Sequence, residues 1–103
     1  MLNNIKKGSA GEKGAILSLS GSTTSADIDM KKVSTCTIVG YGSDLYNEGY
    51  HTVRISDDGE NWVNLRRAAS ANPTFIFSNQ TARYVRFTKP GNQGQMNGAV
   101  IWR

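Results

Sequence analysis

Residues 50–62 read Tyr50-His51-Thr52-Val53-Arg54-Ile55-Ser56-Asp57-Asp58-Gly59-Glu60-Asn61-Trp62. In the first seven, His51, Val53 and Ile55 alternate with Tyr50, Thr52, Arg54 and Ser56, the period of two that a strand with one buried face requires. Asp57-Asp58-Gly59 then offers short side-chain acceptors and a glycine able to take positive φ, the chemistry of a tight reversal. Residues 61–67 read as the returning strand, so a hairpin is expected over residues 50–67. Every other segment is placed by the end of this hairpin that it reaches.

Before the hairpin, residues 1–14 carry glycines at 8, 11 and 14 among lysines and are expected to form a flexible or edge-lying arm. Residues 15–103 form the domain. Ala15 to Ser20 alternates and reads as a strand. Residues 26–30 are short and mixed, Lys31-Lys32 reads as a turn, and residues 33–40 are rich in Thr, Val and Ile, the composition of a strand. Residues 41–49 form a loop holding Tyr41, Leu45 and Tyr46. After the hairpin, residues 68–73 connect to a strand at 74–77 with Phe75 and Phe77 on one face. Residues 78–81 read as a turn, residues 82–88 as a strand with Arg83, Val85 and Phe87 opposite Ala82, Tyr84 and Arg86, residues 89–97 as a long loop, and residues 98–103 as the closing strand.

No segment sustains an apolar period of 3.6. About seven to eight short strands at such spacing specify an all-β fold, an antiparallel β-sandwich, rather than a helical or βαβ domain. Its expected core is Val53, Ile55, Val63, Leu65, Phe75, Phe77, Val85 and Phe87.

The chain of 103 residues suffices for one core and not for two. With 38% hydrophobic residues, no apolar run approaches the ~20 needed to span a bilayer, so a soluble chain is expected. Lysines near Met1 have no apolar stretch behind them, so no secretory signal is read. The chain is then expected to stay where it is made, to be released and assembled as a virion component, or to have had a signal removed ahead of Met1. The single cysteine, Cys36, excludes an internal disulfide and a cysteine zinc cage, and reads as a small residue within a strand. His51 falls on the apolar parity of its strand, as a structural imidazole would. A net charge of +4 raises nucleic acid as a partner, but the basic residues are dispersed with no block longer than two, which argues for a solvated surface instead.

The order Ser56-Asp57-Asp58-Gly59-Glu60-Asn61-Trp62, then Phe75 or Phe77, then Ala82-Arg83-Tyr84-Val85-Arg86-Phe87, resembles the discoidin domain family: the C-type domains of coagulation factors and related galactose-binding carbohydrate modules. Ile28-Asp29-Met30 followed by Val33 and Ile38 is similar to that family's short Asp-Leu-Gly segment and the strand after it. The resemblance therefore covers residues 26–102. It implies an eight-stranded jelly roll that binds glycans, lipid head groups or proteins through loops at one end, and it implies no catalysis. The chain departs from the family in being shorter, in lacking the amino-terminal tryptophan segment and terminal cysteine pair, and in ending Val100-Ile101-Trp102-Arg103.

Where successive strands run in opposite directions, connections alternate between the two ends of a sandwich. With the residue 57–59 turn at one end, the loops at 41–49, 68–73 and 89–97 converge at the other. They are expected to bring together Asp44, Tyr46, Asn47, Glu48, Asn72, Lys89, Asn92, Gln93, Gln95 and Met96. An aromatic ring beside planar amides and carboxylates can stack on a sugar and hold its hydroxyls. Trp62 directly follows the opposite turn and is assigned to packing. Arg54, Arg66 and Arg86 share an outward parity and read as a solvated or charged contact face. Asp27, Asp29, Asp57 and Asp58 lack calcium-loop spacing, so no metal is expected, and no cofactor.

One histidine, one cysteine and no nucleophile motif leave little for an enzyme. The expected function is a non-catalytic binding or adhesion module for a glycan or protein surface. The alternative is a structural component of a larger assembly with partner chains, such as a viral capsid decoration or tail protein.

Overall fold

Six antiparallel strands carry the chain in the computed structural model, which describes residues 12–46 and 49–103: β1 (Lys13–Ser20), β2 (Thr24–Ser43), β3 (His51–Ser56), β4 (Val63–Ala68), β5 (Thr74–Lys89) and β6 (Gln95–Trp102). The arm expected over residues 1–14 lies, up to residue 11, outside the described residues. Hydrogen bonding runs in the order β1-β6-β2-β5-β3-β4.

Two of these strands do double duty. The segments 31–32 and 78–81, expected as turns, are bends inside β2 and β5, where Lys31 and Asn79 take φ of 75° and 57°. Between them the β2–β5 register jumps from Asp29↔Tyr84 to Ser34↔Ala82. Beyond the bend each strand joins the other layer. One layer consists of β1, β6, the second part of β2 and the first part of β5. The other holds the first part of β2, the second part of β5, β3 and β4. Cut at the bends, the six strands give eight segments, the number expected of the jelly roll.

The layers meet through large rings. Phe75 of one stacks on His51 of the other at 6.4 Å between centroids. Phe87 approaches Gly98 so closely that a Cβ there would lie 2.5 Å from its ring. Val53, Phe75, Val85 and Phe87 are buried as expected, and Ile55, Leu65 and Phe77 pack against them partly buried. Val63 is the correction. It is 60% exposed, because it sits beside the turn on edge strand β4, over a shallow hollow that it shares with Ile55 and Thr81. Ala82, expected outside, is fully buried because β5 changes face at its bend. Met96 likewise belongs to the core.

The hairpin turn is built on Ser56 and Asp58. The Ser56 hydroxyl accepts the Gly59 amide at 2.8 Å, and Asp58 Oδ1 accepts the amides of Glu60 and Asn61, both at 2.8 Å. Those donors hold the Asp58 carboxyl well below the usual carboxylate range. Gly59 takes a φ of 80°, the conformation that the turn reading required of it.

A bulge shifts the β3–β4 pairing between Val53↔Arg66 and Arg54↔Asn64. A bulge leaves one residue unopposed and re-aims those beyond it. Arg66, expected outward, therefore turns toward the gap between the layers. Its Nε donates to His51 Nε2 at 2.7 Å, and its guanidinium lies 5.3 Å from the Phe75 centroid.

That donation requires His51 to be neutral. Burial, and then the Arg66 charge, lower the His51 pKa from 6.5. A depressed folded-state value means that the unfolded chain binds more protons below about pH 6.5, so stability present above that pH falls as the pH drops toward the folded value. The thermal midpoint is expected to be lower at pH 5 than at pH 7.5; equal midpoints would remove this reading of His51. Cys36 is buried, and desolvation raises its thiol pKa, which suits a packing residue rather than a nucleophile.

Candidate functional site

The end of the sandwich opposite the Asp58 turn is closed by three connections that bind one another. The Gly42 amide donates to the Pro73 carbonyl at 2.8 Å, the Leu45 amide to the Ala71 carbonyl at 2.9 Å, and the Asp44 amide to the Asn72 side-chain oxygen at 3.1 Å. The third connection packs on the first through Gly94, at φ 75°, where the backbone passes against the Ser43 and Asp44 carbonyls. Convergence follows from the folded path of β5, which descends in one layer and returns in the other.

Leu45 anchors the first loop, at 1% exposure. On either side of it Asp44 and Tyr46 adopt left-handed φ of 59° and 50°, so the backbone twists around the buried leucine and leaves Tyr46 62% exposed. Leu45 and Gly94 are the residues that sequence reasoning passed over. An isolated leucine in a polar loop and a glycine beside glutamines look ordinary, and only contact across the loops distinguishes them.

The candidates divide. Asp44, Tyr46, Asn72, Asn92 and Gln93 are exposed on these loops. Asn47 and Glu48 lie outside the described residues. Lys89 is fully buried, and its ammonium donates to the carbonyls of Gly21, Pro90 and Gly91 at 2.8, 3.1 and 3.1 Å, so it clamps the base of the third loop. Gln95 reaches sideways to the Ser18 hydroxyl at 2.7 Å, tying the start of β6 to β1. An ammonium with three carbonyl acceptors is satisfied where it lies, which removes Lys89 from the ligand-facing set.

At the other end, Trp62 packs beside Tyr84 at 6.4 Å with the Arg86 guanidinium 4.0 Å from its centroid. Of the carboxylates considered for a cation, Asp58 is taken up by its own turn and two more are held by arginines. Asp27 takes both guanidinium donors of Arg86 at 2.7 and 3.0 Å, and Asp29 those of Arg83 at 3.0 and 3.2 Å. The Arg83 pair, with the Lys31 amide, lowers the Asp29 carboxyl to about 2.

No protein-family model and no curated protein matches the sequence. Solved structures do. A chitosan-binding module from a Paenibacillus chitosanase/glucanase aligns with 90% of this chain and 78% of its own at 17% identity and a TM-score of 0.55. A Clostridium perfringens carbohydrate-binding module in complex with GalNAc-β-1,3-galactose aligns over 86% and 76% at 15% identity and a TM-score of 0.52. The Bacillus endospore appendages, described as disulfide-linked pili, align over 88% and 85% at 12% identity and a TM-score of 0.51. At such identities the likeness is one of fold: the chain shares the antiparallel β-sandwich of these structures.

Proposed function

We propose that this chain is a non-catalytic module that binds a neutral glycan at the three joined loops, with the Tyr46 ring as stacking surface and Asp44, Asn72, Asn92 and Gln93 as partners for sugar hydroxyls. Asn47 and Glu48, in the same loop as Tyr46, belong to the proposed site on sequence grounds. The observation that carries the reading is the cross-bracing of these loops around buried Leu45, with an exposed aromatic ring at the rim. A rigid rim spares the ligand the cost of ordering it. Carbohydrate-binding modules among the structural neighbours support the same reading.

Titration calorimetry against neutral galactose-type and chitin-type oligosaccharides tests it. Tyr46→Ala is expected to weaken binding at least tenfold, about 1.4 kcal/mol, while changing stability by no more than ~0.5 kcal/mol, since an exposed loop side chain contributes little to the core. Affinity should not respond to salt. Unchanged affinity in Tyr46→Ala would reject the site.

One observation favours assembly as a second reading. Across the outer face of the β1-containing layer, Ile16, Ala99, Val39 and Ile76 stand in one cross-strand row, with Ile16 66% and Ile76 67% exposed and Tyr41 nearby. A contiguous apolar face of this kind marks a contact surface. Self-association that rises with concentration and is lost in Ile76→Lys would support subunits stacking through it.

A further inference from the structure

The opposite outer face, formed by the first part of β2, the second part of β5, β3 and β4, has a different chemistry. Two cross-strand rows run over it side by side. Ser25, Thr88, Thr52 and Arg67 form the first, and Asp27, Arg86, Arg54 and Asn64 the second. The β3–β4 bulge makes this possible, because without it Arg66 and not Arg67 would complete the first row. With Tyr50 as a wall, every member of these rows but Asn64 lines a groove of about 630 Å3. That volume suits a short oligosaccharide, since small-ligand sites run from about 300 to 1,000 Å3.

The groove is cationic. Among the described residues, three guanidiniums, those of Arg54, Arg67 and Arg86, face one carboxylate, Asp27, and that carboxylate is already paired with Arg86. Arg54 Nε donates only to a neutral amide, the Asn64 oxygen at 2.8 Å, and Arg67 has no carboxylate partner among the described residues. Arg67 is nevertheless held in place, its guanidinium 3.7 Å from the Tyr50 centroid. A stacked guanidinium keeps its in-plane N–H donors free for a bidentate anion. In the floor, Thr52 is 5% exposed and its hydroxyl lacks any hydrogen-bond partner among the described residues. Buried polar groups are almost always paired, so this hydroxyl points to a group that completes the groove when bound.

We propose that this groove is a second ligand site, distinct from the loops, for an anionic saccharide whose sulfate or carboxylate is held between Arg67 and Arg54. Nucleic acid fits less well. A single strand seeks bare aromatic platforms for its bases, and here the Tyr50 and Trp62 rings each carry a guanidinium on one face. The hydroxyl row matches sugar hydroxyls instead.

The test is titration of the full chain with a heparin-derived hexasaccharide, a polygalacturonate hexasaccharide, a neutral galactose-type oligosaccharide and a single-stranded DNA of matched charge. Variants are Arg67→Ala, Arg67→Lys and, as a charge control at the β2 bend, Lys32→Ala. Binding of one or both anionic saccharides, weakening with salt, at least tenfold weaker in Arg67→Ala and Arg67→Lys but not in Lys32→Ala, supports the proposal; which of the two binds tells sulfate from carboxylate. Equal losses in Lys32→Ala would mean diffuse charge and overturn it, as would wild-type affinity in Arg67→Ala, absence of binding to either anionic saccharide, or tighter Arg67-dependent binding of the DNA. Tyr46→Ala is expected to leave this binding unchanged, so failure of the neutral-sugar reading and failure of this one are separable.

Discussion

Phe87→Ala is expected to lower the unfolding free energy by about 3–5 kcal/mol, a large share of the ~5–15 kcal/mol that holds a domain together. The ring is fully buried and is the element of the second layer that fills the space above Gly98 in the first. Removing it loses both its own transfer free energy and the contacts of every group facing the cavity, because two sheets fixed by their own hydrogen bonds cannot close over the gap. The pair is coupled, so Gly98→Ala should be destabilising in the wild-type chain and less so in Phe87→Leu, where the ring that meets the new methyl group is gone. Denaturant unfolding of the four chains checks this; strictly additive effects would mean that the layers do not meet at this point.

Gly94→Ala is expected to damage both the loops and the binding assigned to them. The residue sits at a φ of 75°, which costs a side-chain-bearing residue roughly 1–2 kcal/mol by itself. Its Cβ would also collide with the Ser43 carbonyl and lie 2.5 Å from that of Asp44. Backbone cannot step aside as a long side chain can, so the third loop, which carries Asn92 and Gln93, must lift from the first, which carries Asp44 and Tyr46. Calorimetry should show at least a tenfold loss of glycan affinity together with a lowered thermal midpoint. Gly21→Ala is the control, since it has a φ of 82° but open space around its Cβ. If both variants bind alike, contact between the loops is irrelevant to the site.

Period-two alternation made the hairpin, the Gly59 turn and most of the core legible, because strands with one buried face have no freedom in that pattern. It failed where the backbone leaves regular pairing. Lys31 and Asn79 carry left-handed φ without being glycine, and a polar cluster that bends a strand into a second layer reads the same as one that reverses it. The β3–β4 bulge exchanged the roles of Arg66 and Arg67, a one-residue effect that composition does not announce. Val63 repeats the pattern of Val53 yet lies on an edge, and burial depends on what stands opposite. Among the loop residues, convergence followed from strand direction alone. The inward turn of Lys89 did not, because its shortest bond is to the Gly21 carbonyl, far away in sequence, and the Pro90 and Gly91 carbonyls beside it turn to meet the same ammonium.

Binding at the three joined loops is measured residue by residue by amide chemical-shift mapping of the isotopically labelled chain during titration with a neutral oligosaccharide that binds it. Saturable shifts are expected at residues 41–46, 71–73 and 89–95 alone, with the outer faces of both layers unmoved. Shifts centred on the row of Ile16, Val39 and Ile76 or on the Arg54 and Arg67 groove, with the Tyr46 loop silent, would contradict binding at these loops.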